Sequence, residues 1–196
     1  TDYRINLKKE GKITYFSGKQ EMLHLGVFNN IDAAMMVHSQ ANCPERRLFV
    51  GGGGLGFAAK TIRFSGKEAH AGGAPHDGIN ALNAASAAIT MIGMQRETFR
   101  DEDKIRVHYI ITKGGDSVNT VPADVRMELY VRGVSEAAIK NAEEKVDRAI
   151  HGAAYGIGAS AEITTLGSYA PLCQNSELSR IFADNAKGLA DEICFG

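Results

Sequence analysis

Between residues 57 and 167 the spacing of apolar residues switches between two periods in a fixed order, and that order constrains the fold more than anything else in the chain. Lys60–Gly66 reads as a strand, with Ile62 and Phe64 on one face. From Asp77 to Glu97, Ile79, Leu82, Ala85, Ile89 and Ile92 recur at helical spacing, with Asp77 as the expected N-cap. Ile105, Val107, Tyr109 and Ile111 alternate as in a half-buried strand. Val125, Met127, Leu129 and Val131 do the same against Asp124, Arg126, Glu128, Tyr130 and Arg132. Ser135 is placed to cap a second helix carrying Ile139, Ala142, Val146 and Ile150 on one stripe, and Ser160–Leu166 closes as a fourth strand. The order β-α-β-β-α-β predicts an α+β, ferredoxin-like unit: an antiparallel four-stranded sheet with two helices on one face and a polar face left open.

The flanks read differently. Lys19–Leu25 is a short helix candidate. Ile31–His38 is an apolar run ending in a histidine, expected to be a buried strand of a larger sheet. Gly51–Gly54 and Gly56 form a hinge. No Lys-Ser/Thr pair follows them, so they are not a phosphate loop. Asn175–Ala190 reads as a helix. The middle unit is therefore expected as an insertion at 57–167, between two pieces of another domain at 1–56 and 168–196.

Composition bounds the function. A net charge of −1 over 196 residues gives no footprint for nucleic acid or an anionic membrane surface. No apolar run reaches the ~18 residues of a membrane-spanning helix. The three cysteines, Cys43, Cys173 and Cys194, form no paired spacing and are expected as buried, reduced thiols of a cytoplasmic protein.

Four residues could carry chemistry. His70 sits in the loop Gly66-Lys67-Glu68-Ala69-His70-Ala71-Gly72-Gly73-Ala74-Pro75, where an imidazole N–H can stabilise a developing oxyanion. Asn119, in Gly114-Gly115-Asp116-Ser117-Val118-Asn119-Thr120-Val121-Pro122-Ala123, offers a side-chain amide to a carbonyl or carboxylate. Arg132 can clamp a carboxylate through a bidentate fork. His38 at the end of its apolar run is a candidate zinc ligand. Each also has a plain reading: a loop conformer for His70 and Asn119, a solvated or ion-paired strand face for Arg132, a core or surface histidine for His38. Glu143 and Glu144, among Lys140, Lys145 and Arg148, read as a solvated helix face rather than catalytic acids.

The GKEAHAGGAP loop, the DGINAL helix opening, the GGDSVNTVPA turn and the ELYVRG strand resemble the metallopeptidase-20 family, which includes aminoacylases, aminobenzoyl-glutamate hydrolases and glutamate carboxypeptidases. The match spans 57–167, the family's lid or dimerisation domain, and FNNIDAAMMVHS resembles a neighbouring piece of its α/β zinc-hydrolase catalytic domain. The resemblance implies an amidohydrolase that uses two divalent metal ions, zinc or manganese, on N-acyl or N-aroyl amino acids or small dipeptides, as a homodimer through the lid. It implies that His38 is a metal ligand, that His70 reaches the active site of the partner subunit, and that Asn119 and Arg132 contact substrate. The remaining metal motifs of the family do not occur in this sequence. The chain is therefore expected to be a central fragment, inactive alone and without a held metal. The competing expectation is a non-enzymatic ferredoxin-like module for dimerisation or small-molecule binding.

Overall fold

The computed structural model describes residues 2–39, 41 and 43–196; residues 1, 40 and 42 of the expected 1–56 segment lie outside them. The chain forms two compact units, Gly54–Leu172 and, from both flanks together, Thr1–Gly53 with Cys173–Gly196.

The flank unit contains the helices α1 (Asp2–Lys9) and α2 (Gly18–His24) and the strand β1 (Arg47–Val50). The Gly54–Leu172 unit runs β2 (Gly56–Ser65), α3 (Ala81–Met94), β3 (Arg106–Lys113), β4 (Asp124–Gly133), α4 (Glu136–Ile157) and β5 (Ser160–Tyr169). The chain returns to the flank unit for α5 (Ser176–Asn185) and β6 (Glu192–Phe195).

In the Gly54–Leu172 unit the strands lie in the order β3-β4-β2-β5, with every neighbouring pair antiparallel. Register explains the layering. Ala58, Lys60, Ile62 and Phe64 of β2 face Val131, Leu129, Met127 and Val125 of β4, and all eight residues are buried. Onto this face α3 buries Ala81, Ala84, Ala85, Ala88 and Ile92, and α4 buries Ala142, Val146, Ala149, Ile150 and Ala153. The alanines let the two helices approach the sheet and each other closely. Ser135 caps α4 as expected, accepting from the Ala138 N–H at 3.1 Å.

The α3 start differs from expectation. Asp77 lies in a 3-10 turn, Pro75–Asp77, and Asn80 is the N-cap, accepting from the N–H groups of Leu82 and Asn83 at 2.9 and 3.0 Å. Pro75 favours the tight turn and Gly78 extends the chain after it, so the helix starts three residues late. Lys60 is the other surprise. It occupies a core-facing register position, is 4% exposed, and its Nζ reaches Asp147 at 2.7 Å and Glu143 at 3.0 Å on α4. Glu143 is thus the ion-pair partner of a buried lysine rather than part of a fully solvated face.

In the flank unit β1 and β6 pair in parallel. Arg47 and Glu192, 145 residues apart, form an ion pair across the two strands. The expected helix beginning at Asn175 is present but ends at Asn185, with Asn175 capping it through Leu178 N–H at 3.0 Å.

The expected buried strand at Ile31–His38 is not formed. The segment is irregular, and Met35 and Val37 are 71% and 85% exposed. A strand needs a neighbour for its backbone N–H and C=O groups, and among the described residues this segment has none. The three cysteines are free, as expected for reduced thiols, but not buried as expected: Cys173 is exposed and Cys43 and Cys194 are half-buried. They lie in the flank unit, where few side chains are fully buried.

Candidate functional site

Two loops leave the same end of the four-stranded sheet. One follows β2, and the other leads into β4. Gly66 starts the first: its N–H donates to the Ala123 carbonyl at 2.8 Å, and a Cβ there would collide with the Ile79 carbonyl. Lys67 and Ile79 exchange a pair of backbone hydrogen bonds, both 2.9 Å, which closes the loop at its base.

The loops then zip together. Ala71 N–H donates to the Asn119 carbonyl, and Val121 N–H donates to the Ala69 carbonyl, each at 2.9 Å. Between these two bonds His70 and Thr120 stand opposite one another as an antiparallel bridge. The sequence-separated candidates His70 and Asn119 are therefore brought together on one short ladder.

His70 is exposed, and its ring is oriented by its own loop. Nδ1 accepts from the N–H groups of Gly73 at 2.9 Å and Gly72 at 3.2 Å. A neutral imidazole that accepts at Nδ1 carries its hydrogen on Nε2. The loop thus presents Nε2–H outward as a donor, the form needed to stabilise an oxyanion. The Asn119 side chain is exposed and has no hydrogen-bond partner among the described residues.

A charge cluster ties the second loop to the sheet. Asp124, the first residue of β4, accepts from Arg63 at 2.7 Å, Arg126 at 3.1 Å and Lys113 at 3.2 Å. Lys113 also reaches Asp116, within the loop, at 3.0 Å. The Arg63 hydrogen bond foremost, then those of Arg126 and Lys113, holds the Asp124 carboxyl far below the usual carboxylate range. Asp116, followed by Asp124, holds the Lys113 ammonium above its ordinary value. Gly115, at φ +135°, makes the turn above this tether in a backbone conformation that side chains resist.

Arg132 is not at this site. It lies eight residues along β4 from Asp124, about 26 Å of extended strand away. It pairs in register with Phe57 near the start of β2 and with Arg106 at the start of β3. Its guanidinium lies 5.1 Å from the Phe57 ring centre and 5.6 Å from that of Tyr130. The ion pair with a neighbouring acid that would make Arg132 purely structural is absent among the described residues.

His38 belongs to the flank unit, on the irregular segment, with Nδ1 2.6 Å from the Ser39 carbonyl. Among the described residues no group of three or more His, Cys, Asp or Glu side chains could hold a metal ion. One imidazole does not make a dinuclear metal site, so His38 alone cannot supply metal chemistry.

Residues 54–157 match the peptidase dimerisation domain family of the M20 peptidases. The chain belongs to the M20 family. It is 29% identical over 181 residues to the Xaa-Arg dipeptidase of Mus musculus, spanning 90% of this chain and 39% of that protein. It is 30% identical over 152 residues to the indole-3-acetyl-aspartic acid hydrolase of Enterobacter agglomerans, spanning 77% of this chain and 34% of that protein. The crystal structure of an aminobenzoyl-glutamate utilization protein from Klebsiella pneumoniae superposes with a TM-score of 0.72 at 24% identity, over 90% of this chain and 45% of that one. That likeness shows a shared fold. The chain spans less than half the length of each of these proteins.

Sequence reasoning missed the Lys113–Asp124 tether and the rings beside Arg132. The signal for the rings was present, since His108, Tyr130 and Phe57 all fall on the solvent phase of their strands. Strand order was needed to see that they become neighbours.

Proposed function

We propose that this chain is the lid and dimerisation part of an M20 metal-dependent amidohydrolase. In this reading 57–167 is a ferredoxin-like lid, and 1–56 and 168–196 are pieces of the catalytic domain. The parent protein hydrolyses the amide bond of N-acyl or N-aroyl amino acids or small dipeptides. The names of the relatives, which act on dipeptides and on an indole-acetyl amino acid, support this substrate class. The metal ions, zinc or manganese, would be held mainly by other residues of the parent protein, with His38 supplying one ligand. The free thiols suit a reducing, cytoplasmic setting.

The observation that carries the reading is the His70 ring: exposed, on the same backbone ladder as Asn119, with Nδ1 held by Gly72 and Gly73 so that Nε2–H is left as the free donor. In the parent enzyme Nε2–H donates to the oxygen on which charge builds as the amide carbonyl is attacked. The Asn119 amide donates to the same substrate beside it.

The separation of Arg132 from this pair bears on assembly. A small N-acyl amino acid cannot span about 26 Å of strand, so Arg132 and His70 of one lid do not serve the same substrate. Both contribute to catalysis if each site draws on two lids, with Arg132 from one protomer and His70 and Asn119 from its partner. A homodimer through the lid provides that arrangement.

The test is turnover of an N-acyl amino acid panel by the metal-loaded, full-length protein. His38→Ala is expected to lose metal-dependent activity. His70→Ala is expected to keep binding substrate but lose rate. Wild-type rates in both variants would refute the assignments.

A further inference from the structure

We infer that Phe57 and Tyr130 are positioning residues for Arg132, holding its guanidinium flat against an aromatic row so that its N–H edge receives the substrate's carboxylate; this rests on the reading of Arg132 as a substrate-binding group. Three observations and one physical argument support it.

First, the two rings are themselves ordered. Phe57 and Tyr130 stack with centres 5.1 Å apart and planes 11° from parallel. The row continues on both sides, to Tyr169 of β5, 4.9 Å from Phe57, and to His108 of β3, 5.6 Å from Tyr130. One ring from each of the four strands therefore crosses the sheet face opposite the helices, which is aromatic where a plain polar face was expected.

Second, Arg132 is placed on this row by the sheet itself. Phe57 is its cross-strand partner, and Tyr130 precedes it by two residues on the same strand, so all three share a face. A guanidinium stacked on aromatic faces keeps its in-plane N–H donors pointing outward.

Third, the strand partner on the other side is Arg106. Two arginines thus occupy paired positions, neither has an ion pair among the described residues, and the Arg106 guanidinium donates to the Ile105 carbonyl at 3.2 Å. Like charges at paired positions oppose folding, which an anionic ligand offsets.

Fourth, stacking limits the rotamers of a long, flexible side chain before the ligand arrives. Less freedom is then lost on binding, so the effect appears in affinity rather than in the chemical step.

The experiment compares, in the full-length enzyme, an N-acyl amino acid that it turns over with the same compound whose α-carboxylate is converted to carboxamide. Phe57→Leu and Tyr130→Leu are expected to raise KM for the acid by about 3- to 30-fold, with kcat kept and KM for the carboxamide unchanged. Tyr130→Phe, which keeps the ring, is expected to behave as wild type. Arg132→Ala is expected to abolish the preference for the acid. If Arg132→Ala loses that preference while both leucine variants keep the wild-type KM, the positioning role is overturned and the Arg132 reading stands. If Arg132→Ala keeps the preference, both fall. In the 196-residue chain itself, the ring-current shifts of the Arg132 side-chain protons are expected to collapse in Phe57→Leu; unshifted protons in the unsubstituted chain would overturn the stacking without any activity assay.

Discussion

The backbone N–H of Gly73 donates to Nδ1 of His70 at 2.9 Å, so a glycine three residues along the chain decides which ring nitrogen carries the hydrogen. Gly72 adds a second donor at 3.2 Å. The loop is therefore more than a spacer: it fixes the ring in the tautomer that can donate to an oxyanion. NMR of the imidazole nitrogens in the 196-residue chain is expected to show neutral His70 with hydrogen on Nε2 and none on Nδ1. An Nδ1–H tautomer would remove the physical basis for the proposed role.

The loop carrying Asn119 is held by Lys113, which bridges Asp116 and Asp124 at 3.0 and 3.2 Å. Partly exposed ion pairs are individually weak because water screens them. Lys113→Met is therefore expected to loosen the loop locally without unfolding the unit. Amide exchange at Ala71, whose N–H bonds to the Asn119 carbonyl, should accelerate by about 2- to 5-fold. Unchanged exchange would mean that the backbone ladder alone holds the loop.

Asp124 makes stability depend on acid. Its carboxyl has an ordinary value of 3.8, and the hydrogen bonds from Arg63, Arg126 and Lys113 depress it in the folded chain. A depressed folded value means stability that is fully present above the unfolded value and is lost as pH falls below it. The urea midpoint is expected to drop as pH goes from about 5 to about 3. Asp124→Asn should lower the midpoint at pH 7 and flatten its fall. A variant whose pH profile parallels wild type would place the acid sensitivity elsewhere.

Lys60 lies under α4 with two carboxylates, and its partners are unequally buried. Lys60 is 4% exposed, whereas the side chains of Glu143 and Asp147 are 22% and 34% exposed. Removing the acids strands a buried cation, and removing the cation leaves acids that can turn to water. Joint Glu143→Gln and Asp147→Asn substitution is expected to cost roughly 3–5 kcal/mol, and Lys60→Met distinctly less. Urea denaturation checks the order; a costlier Lys60→Met would show that the lysine, rather than its partners, stabilises the interface.

Much of the Gly54–Leu172 unit could be read from the sequence because its strands and helices are amphipathic and locally complete. Met127 and Leu129 alternate with exposed neighbours, and Ser135 caps the helix that follows. The β1–β6 pair could not be read, because strands of four residues gain meaning only through a partner 145 residues away. Ile31–His38 failed for the opposite reason. Its composition suits a buried strand, but composition does not supply a neighbour. In the site, glycine-rich loops marked His70 and Asn119, and their meeting depends on the pairing of His70 with Thr120. Arg132 showed its type in sequence, but its distance from the other two appears only once β4 is seen as one continuous strand.

His70 is proposed to complete a site in the partner protomer. Subunit mixing tests it most directly: full-length His38→Ala and His70→Ala proteins, each inactive, are allowed to exchange subunits, and amide hydrolysis is measured. Recovered turnover is expected, because the mixed dimer holds one site with an intact His38 facing a partner lid with an intact His70. No recovery, with mixed dimers shown to have formed, would contradict it.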